Sequence, residues 1–339
     1  MVKIGINGFG RIGRVILRAI LSEYADKVKV AAINTSGSMP IEGWAQLFEY
    51  DSVYRVFKGQ VKIEKGKRDE IGVLTINGSK IPVLAQKDPG LIPWQDYGVE
   101  IVVESTGVFR DRQSASAHFK GGAKKVIISA PAEQVKTFVI GVNEKQYKGD
   151  LVISNASCTT NCVAPVTKIM MENFGIQKGF LTTVHAYTAD QELVDGSHQD
   201  LRRARAAAIN IVPTTTGATK VTTETLPALK GLFDGMALRV PVVCGSISDF
   251  TFITTKRISV EQVKKAFIEA SKKAYKGIVA TSDKPLVSSD IIGNSASAIV
   301  DLPLIQVLDG DLVKIVAWYD NEWGYSCRLI EEVLWINKR

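Results

Sequence analysis

VKIGINGFGRIGR (residues 2–14) joins a short apolar run to three closely spaced glycines. Residues 2–7 predict a buried strand, and residues 11–24 predict an amphipathic helix because apolar side chains recur every three or four positions. VKVAAIN (28–34) predicts a second buried strand. A strand, a helix and a strand in this order are the unit from which parallel sheets with helical connections are built, so the chain begins as an α/β protein.

The three glycines lie at the turn between the first strand and its helix. Gly8, Gly10 and Gly13 have the GxGxxG spacing in the structural context that the motif requires. They permit a tight turn and a close approach of the backbone, so that a pyrophosphate can sit on the free N–H groups at the helix N-terminus. The turn therefore predicts dinucleotide binding, although a turn that only packs the helix on the sheet has the same spacing.

The rest of the first half continues the sheet. Residues 61–86 alternate in polarity around Asn77-Gly78, which predicts an antiparallel insertion. The other short apolar runs are typical of strands covered on both faces, and they lie at 99–106, 124–129, 137–142 and 150–154. Together they predict a doubly wound, mainly parallel sheet.

The pattern changes after a predicted helix at 158–175. Longer runs of alternating polarity predict strands at 179–188, 235–243, 246–256 and 311–320. Residues 259–275 and 325–337 have helical spacing. We therefore predict an α/β chain whose second domain is α+β with a mainly antiparallel sheet.

Composition excludes several classes of protein. A chain of 339 residues with 45% hydrophobic and 23% charged residues is expected to form two ordinary domains. No apolar run is long enough to span a membrane and no signal peptide is recognisable, so we expect a cytoplasmic protein without a membrane partner. The net charge of +7 comes from dispersed residues, which favours anionic small molecules over a primary role in nucleic-acid binding.

The end of the second strand carries information about the dinucleotide. NAD-binding domains place an acid there for the adenosine ribose, but the sequence reads AAINTSGSM (31–39) and has none. A carboxylate about 4 Å from a phosphate costs on the order of 4 kcal/mol per unit charge near a surface. Without it a 2′-phosphate is not repelled, so NADP becomes plausible; a merely solvated turn is the alternative.

Two of the four cysteines are close together in VISNASCTTNC (152–162). A disulfide framework is not expected in so long a chain, and the three histidines lack a metal-binding spacing with the cysteines, so no metal is expected. Cys162, Cys244 and Cys327 are interpreted as inert buried thiols.

Cys158 differs from the other cysteines because it lies at the first turn of the predicted helix. There the N–H groups and a nearby histidine could lower the pKa of a thiol from about 8.5 toward about 6. His185 lies in a strand rich in polar residues, and it could be either a catalytic base or a packed strand histidine.

Six segments in order along almost the whole chain resemble the phosphorylating glyceraldehyde-3-phosphate dehydrogenases, in particular their NADP-accepting members. The segments are INGFGRIGR (6–14), SNASCTTNC (154–162), TVHAYTADQ (183–191), DLRRARAAAINIVPTTTGATK (200–220), MALRVPV (236–242) and WYDNEWGYS (318–326). The resemblance implies a Rossmann domain at 1–157 completed by a C-terminal helix at 321–339. It also implies a catalytic domain at 158–320 and a homotetramer.

The resemblance also implies roles for individual residues. Cys158 would attack the aldehyde of glyceraldehyde 3-phosphate, with His185 as its base, and inorganic phosphate would release 1,3-bisphosphoglycerate from the resulting thioester. Thr188 and Arg239 would bind the substrate phosphate. The attacking phosphate would be bound by Ser157, Thr159, Thr216 and Gly217.

The implied cofactor contacts include Asn321, which would orient the nicotinamide carboxamide. The others are Gly8, Gly10, Arg11, Ile12, Gly13, Asn34, Thr35, Ser36, Lys87, Thr106, Ser129 and Ser197. NAD-specific members have an acid at the position of Thr35, and commonly an apolar residue and proline at Gly196 and Ser197. With Lys87 as a further positive charge, these departures predict that NADP is preferred or used together with NAD.

Two alternatives remain open. Erythrose-4-phosphate dehydrogenases share the cysteine, the histidine and the fold, and a catalytically silent homologue that binds a dinucleotide or RNA would keep the fold without turnover. Residues 240–250, VPVVCGSISDF, depart from the usual family pattern, and the sequence assigns no function to Cys244, Gly245 or Ser246.

Overall fold

The N-terminal strand, helix and strand form as expected in the computed structural model, which describes residues 1–339. Strand β1 (Val2–Asn7) pairs in parallel with β2 (Val28–Asn34). Helix α1 (Arg11–Ala19) connects them and continues as one wider turn at Ile20–Tyr24, so the predicted helix at 11–24 has two parts. The register between β1 and β2 shifts between Ile4 and Gly5.

The chain forms two compact units. Unit 1 comprises Met1–Phe138, Gln146–Ala156 and Leu329–Arg339, and unit 2 comprises Val139–Lys145 and Ser157–Arg328. The C-terminal return to unit 1 begins at Leu329, later than the residue 321 expected from sequence. Asn321 instead bonds to Gly245 and Ser246 in unit 2.

Unit 1 is built on one nine-stranded sheet in the order β10-β11-β9-β8-β1-β2-β7-β6-β5. All pairs are parallel except β7 with β6 and β6 with β5. Its remaining strands are β3 (Tyr50–Asp51), β4 (Arg55–Val56), β5 (Val61–Glu64), β6 (Glu70–Ile76), β7 (Ser79–Leu84), β8 (Ile101–Glu104), β9 (Lys125–Ile128), β10 (Lys136–Thr137) and β11 (Val152–Ser154). Its other short helices are α2 (Ile41–Glu49) and α3 (Arg112–Ala115).

One sequence expectation for unit 1 needs correction. The strand expected at 137–142 ends at Thr137, because the chain enters unit 2 at Val139. The antiparallel expectation for residues 61–86 is confirmed by the pairs β5–β6 and β6–β7, and the parallel pairing of β7 with β2 makes these strands part of the main sheet. Both residues of the Asn77-Gly78 turn have positive φ, as this type of tight hairpin requires.

Unit 2 contains an eight-stranded sheet in which β13-β14-β12-β15-β19-β17-β16 follow in order and β18 pairs with β19. The pairs are antiparallel except β12 with β14 and β16 with β17, so the mainly antiparallel expectation is confirmed. The strands are β12 (Lys178–Ala186), β13 (Val212–Thr214), β14 (Phe233–Val240), β15 (Ser246–Ile253), β16 (Val279–Ser282), β17 (Ala298–Asp301), β18 (Gln306–Leu308) and β19 (Leu312–Tyr319). The helices are α4 (Cys158–Phe174), α5 (Ala218–Thr225) and α6 (Val260–Lys272).

Helix α7 (Trp323–Asn337) ends the chain, and its second half belongs to unit 1. Tyr24 Oη donates to Glu331 Oε1 at 2.9 Å, and Lys125 Nζ donates to the carbonyl of Ile336 at 2.7 Å. These contacts attach the end of the chain to the nine-stranded sheet and its first helix.

Candidate active site

The glycine turn after β1 leaves an open space at the N-terminus of α1. Gly8 has φ +96°, and a Cβ there would lie 2.6 Å from the backbone nitrogen of Thr106. A Cβ on Gly13 would lie 2.1 Å from the carbonyl oxygen of Gly8, whereas a Cβ on Gly10 would have no neighbour within 4 Å. Gly10 is the N-cap and no side chain caps the helix, so its first N–H groups remain available to a ligand. This cradle fits the pyrophosphate of a dinucleotide.

A buried hydrogen-bond network connects β1 with the end of β8 and the loop after it. Trp94 Nε1 donates to His118 Nδ1 at 3.0 Å, so the proton of this imidazole lies on Nε2, which donates to Glu104 Oε2 at 3.0 Å. Asn7 donates to the same oxygen at 2.6 Å. The other oxygen of Glu104 accepts from the backbone nitrogen of Thr106 at 2.8 Å and from its hydroxyl. The network thereby fixes the loop after β8.

The turn after β2 contains Asn34 and Thr35, which are among the predicted cofactor contacts. Asn34 donates to Asn7 Oδ1 at 2.7 Å and to the carbonyl of Gln86 at 2.9 Å, and its own oxygen accepts from Gln86 N at 2.8 Å. The Thr35 hydroxyl donates to the carbonyl of Leu84 at 3.1 Å, and Thr35 is 2% exposed. Both side chains therefore connect the end of β2 to the end of β7 and the residues that follow it.

The exposed hydroxyls of this turn belong to Ser36 and Ser38, whose Oγ atoms lie 2.8 Å apart. Lys87 is exposed directly after Gln86, the residue that bonds to Asn34. The turn has no carboxylate between residues 34 and 38. Its surface thus presents hydroxyl groups and one nearby ammonium group.

The other unit 1 residues expected at the cofactor have mixed environments. Arg11 makes an ion pair with Asp51 and lies over the Tyr54 ring. The Thr106 hydroxyl is engaged with Glu104 and with the backbone nitrogen of Val108. Ile12 and Ser129 are partly exposed.

In unit 2 the thiol of Cys158 faces the imidazole of His185. Cys158 is the first residue of α4, and the N-cap Ser157 Oγ accepts from the backbone nitrogen of Thr160 at 3.1 Å. Sγ lies 3.4 Å from His185 Nε2. His185 Nδ1 lies 2.6 Å from the carbonyl oxygen of Ala186 and 3.1 Å from Arg239 Nη1. The shorter contact is to an atom that can only accept, so it places a proton on Nδ1, and the approach of Arg239 is then a close contact rather than a hydrogen bond. Nε2 is therefore left as the atom that accepts the thiol proton.

Burial and neighbouring charges shift the pKa values of both members of the pair. Burial raises the pKa of Cys158 above its ordinary value, although the charge of Arg239 and hydrogen bonds from Thr159 act in the opposite direction. Burial, with the positive charges of Arg239 and Arg203, lowers the pKa of His185 to about 3. Burial thus acts against the lowering of the thiol pKa that the sequence predicts, while the charge of Arg239 and the hydrogen bonds from Thr159 favour it.

Arg239 on β14 lies beside this pair in parallel register with His185 on β12. Its Nη1 donates to the carbonyl of Ala186 and to Thr188 Oγ1, each at 3.2 Å. Its Nε is buried and has no hydrogen-bond partner. One edge of the guanidinium is therefore held by the protein, and the other can receive an anion.

The residues expected to bind the attacking phosphate lie at two helix N-termini. Ser157 and Thr159 flank the start of α4, and Thr159 Oγ1 lies 3.0 Å from the hydroxyl of Tyr319. Thr216 and Gly217 precede α5, where Gly217 is the N-cap and exposed. A Cβ on Gly217 would have no neighbour within 4 Å, so its backbone is accessible.

Sequence reasoning missed Arg203 as a member of this site. Its Nε donates to Thr214 Oγ1 at 2.9 Å and Nη2 donates to the carbonyl of Thr215 at 3.2 Å, while Nη1 pairs with Asp190. Its charge lowers the pKa of both His185 and Arg239. The signal was present in the segment 200–220, whose arginines received no role from the sequence alone.

Ser197 and Asn321 complete the predicted set. Ser197 is exposed at a cleft of about 560 Å³ that also includes His198 and Arg203. Asn321 is 5% exposed, and its Oδ1 accepts from Gly245 N at 3.2 Å and from Ser246 Oγ at 2.9 Å.

The other cysteines are buried free thiols. Cys162 has its pKa raised by burial, which makes it unreactive. No group of three or more His, Cys, Asp and Glu side chains is placed to hold a metal ion. No helix has the length and apolar character that crossing a membrane requires.

Comparison with known proteins places both halves of the chain in one family. Residues 2–112 match the domain family described as glyceraldehyde 3-phosphate dehydrogenase, NAD binding domain, and residues 157–321 match the C-terminal domain of the same enzyme. Glyceraldehyde-3-phosphate dehydrogenase 2 of Streptomyces arenae is 49% identical over 333 residues, which cover 97% of each chain. Glyceraldehyde-3-phosphate dehydrogenase B, chloroplastic, of Pisum sativum is 48% identical over 335 residues, covering 97% of this chain and 73% of the relative. An NAD-binding Rossmann domain, a catalytic domain with a cysteine–histidine pair, and this similarity over the full length show that the chain is an oxidoreductase of the glyceraldehyde-3-phosphate dehydrogenase family.

Proposed function

We propose that the protein oxidises glyceraldehyde 3-phosphate with inorganic phosphate to 1,3-bisphosphoglycerate, and catalyses the reverse, with NADP preferred or used beside NAD. The observation that carries the chemistry is the 3.4 Å separation of Cys158 Sγ from His185 Nε2, with the other ring nitrogen held by a carbonyl. That geometry gives a nucleophile and a base with one defined proton path.

The first step is attack of Sγ on the aldehyde carbon. His185 Nε2 takes the thiol proton as the carbon–sulfur bond forms and passes it to the aldehyde oxygen, which gives a thiohemiacetal and leaves His185 neutral. Because burial makes a free thiolate costly, we expect proton transfer and attack to occur together.

The second stage converts this adduct into an acyl phosphate. The bound dinucleotide supplies the hydride acceptor for the oxidation. His185 accepts the hydroxyl proton, which leaves a thioester on Cys158. Phosphate then attacks the acyl carbon, the carbon–sulfur bond breaks, and the departing sulfur recovers its proton from His185. Covalent capture thus retains the activation of the acyl group until phosphate arrives.

Two anion sites support the substrate and the attacking phosphate. The free edge of Arg239 and the hydroxyl of Thr188 suit the phosphate of glyceraldehyde 3-phosphate. Ser157, Thr159, Thr216 and Gly217 offer hydroxyl and backbone donors at helix N-termini for inorganic phosphate.

The cofactor preference rests on the turn after β2. Its exposed hydroxyls at Ser36 and Ser38, with Lys87 nearby, suit a 2′-phosphate, and no acid of the turn repels it. Thr35 favours NADP because it stands where NAD-specific members have an acid. Its own hydroxyl donates to the carbonyl of Leu84. Ser197 is assigned to the adenosine end through contact with a neighbouring subunit.

We also propose a cytoplasmic homotetramer. Support comes from five exposed apolar side chains, each between 68% and 81% accessible, which lie at Leu193, Val194, Leu201, Ile209 and Ile211. So many exposed apolar residues in one segment favour burial against another copy of the chain.

The test is an initial-rate assay with glyceraldehyde 3-phosphate and phosphate, in which NAD and NADP are titrated on one preparation. We expect activity that requires phosphate, a higher kcat/KM with NADP, and loss of activity in Cys158→Ser. The variant Ser36→Ala/Ser38→Ala/Lys87→Met should lose about tenfold in kcat/KM with NADP and little with NAD, because charge-assisted bonds to one phosphate are removed.

Lys80→Met is the matched control, since Lys80 is an exposed lysine that pairs with Glu64. A clear preference for NAD in the wild type would reject the cofactor proposal and leave the chemistry intact. If erythrose 4-phosphate is oxidised faster than glyceraldehyde 3-phosphate, the proposed substrate is wrong and erythrose 4-phosphate takes its place.

A further inference from the structure

The segment 240–250, to which the sequence assigned no function, contacts Asn321. Gly245 has φ +90°, and a Cβ there would lie 2.2 Å from the carbonyl oxygen of Ser288. This backbone conformation directs the Gly245 N–H to Asn321 Oδ1 at 3.2 Å. The next residue, Ser246, begins β15 and also reaches Oδ1, at 2.9 Å.

These two contacts determine which way the amide of Asn321 faces. A backbone N–H can only donate, so the atom of the amide that faces Gly245 must be the oxygen. Both acceptor positions of that oxygen are then occupied. The Nδ2 group makes no hydrogen bond within the chain and is the part of the amide left for a ligand. Asn321 is therefore a donor to the ligand and cannot act as an acceptor.

The hydroxyl of Ser246 has a second partner. It accepts the backbone N–H of Ala186 at 3.1 Å, which leaves its own proton for Asn321. Ala186 directly follows His185, and its carbonyl holds His185 Nδ1. Ser246 is fully buried, so neither of its bonds competes with water. One hydroxyl thus connects the end of the His185 strand to the amide of Asn321.

We propose that Ser246 is a positioning residue that fixes the Asn321 amide with its NH₂ group outward, so that it selects the carbonyl oxygen of the nicotinamide carboxamide. The inference rests on the proposed function, which assigns the carboxamide to Asn321. Without the serine hydroxyl, the amide keeps only the longer bond from Gly245 and rotates more freely.

The experiment measures equilibrium binding by calorimetry rather than turnover. Two ligands are compared: NAD or NADP, whichever the wild type binds more tightly, and the matching ADP-ribose or 2′-phospho-ADP-ribose, which lacks the nicotinamide. We expect Ser246→Ala to weaken dinucleotide binding about tenfold, the effect of one buried hydrogen bond, and to leave binding of the fragment unchanged. Asn321→Ala should give the same loss, and the double variant should give no more than either single one.

Ser248→Ala is the matched control, because Ser248 is buried on the same strand and lies 3.4 Å from Thr183 Oγ1. It should bind both ligands as the wild type does. If Ser246→Ala weakens both ligands equally, the role is merely structural and the proposal is wrong; unchanged binding of both also overturns it. If Asn321→Ala binds both ligands normally, the carboxamide assignment in the proposed function is wrong and the inference falls with it. Ser246→Thr keeps a hydroxyl and should retain the preference for the whole dinucleotide, which covers the case that the alanine variant fails to fold.

Discussion

Burial disfavours the charged form of both Cys158 and His185, that is, the thiolate and the imidazolium. It raises the pKa of the thiol and lowers that of the imidazole. The neighbouring Arg239 is the main opposing influence on the sulfur, because its positive charge favours the thiolate. The same charge disfavours a protonated imidazole. Arg239 therefore makes the thiol of Cys158 more acidic and the imidazole of His185 less basic.

Replacing Arg239 by glutamine should therefore raise the pKa of Cys158. The rate of alkylation by iodoacetamide, measured against pH, should show its midpoint at a higher pH than in the wild type. The variant should also lose about 10- to 100-fold in kcat/KM for glyceraldehyde 3-phosphate, the range expected when a charged hydrogen bond to an anion is removed.

Arg257→Gln is the control for this measurement, because Arg257 is exposed and pairs only with Asp309 on the surface. Its alkylation profile should match that of the wild type. An unchanged or lowered midpoint in Arg239→Gln would show that the guanidinium charge does not reach the sulfur.

Helix starts and strand ends carry most of the site. Cys158 and Gly10 lie at the starts of α4 and α1, while His185 and Asn34 lie at or near the ends of β12 and β2. The sequence predicted these elements because caps, glycines and apolar periodicity are local signals. The internal hydrogen bonds of the Thr35 hydroxyl and the Asn34 amide could not be predicted in this way, since their partners Leu84 and Gln86 are about 50 residues away along the chain.

Helix α7 contains a buried carboxyl group without a partner. Glu332 is 1% exposed, and neither of its oxygens has a hydrogen bond. Burial raises the pKa of Glu332 well above its usual value, so the folded chain holds a proton that the unfolded chain releases above about pH 4.5. The contribution of this group to stability is present below that pH and is lost as the pH rises through the folded-state pKa.

Glu332→Leu should consequently stabilise the protein by about 1–3 kcal/mol at pH 8, the range for relieving one buried unsatisfied polar group. The gain should shrink as the pH falls toward 4.5. Urea unfolding at several pH values measures both effects. Glu331→Leu on the same helix should destabilise instead, because it removes the bond from Tyr24. A gain independent of pH would show that folding does not raise the pKa of Glu332.

For the molecule as a whole, the exposed apolar segment at residues 193–211 supports the proposed self-association. Leu201 and Ile209 are 81% and 80% exposed, and a solvated apolar cluster of this kind is costly in a soluble monomer. The same segment contains Ser197, the residue expected to reach the adenosine end in a neighbouring subunit.

Leu201→Asp/Ile209→Asp should therefore dissociate the assembly into smaller species, because two charges would have to be buried at each contact. Light scattering coupled to gel filtration should show four chains for the wild type and fewer for the variant. Leu91→Asp, at a 66% exposed leucine in unit 1, is the control and should remain a tetramer. A wild type that elutes as a monomer at every concentration would exclude the assembly.

The sequence by itself determined the two sheets, the glycine cradle and the identity of the Cys158–His185 pair. These depend on local periodicity, on turn residues and on motifs whose residue types are dictated by their chemistry. Tertiary structure alone decided the burial that acts on the pKa values of the pair, the hydrogen bonds of Asn34 and Thr35, and the contacts of Arg203 and Ser246. Each of these depends on burial or on a hydrogen bond between residues far apart in sequence, and neither desolvation nor such a bond can be read from a local pattern.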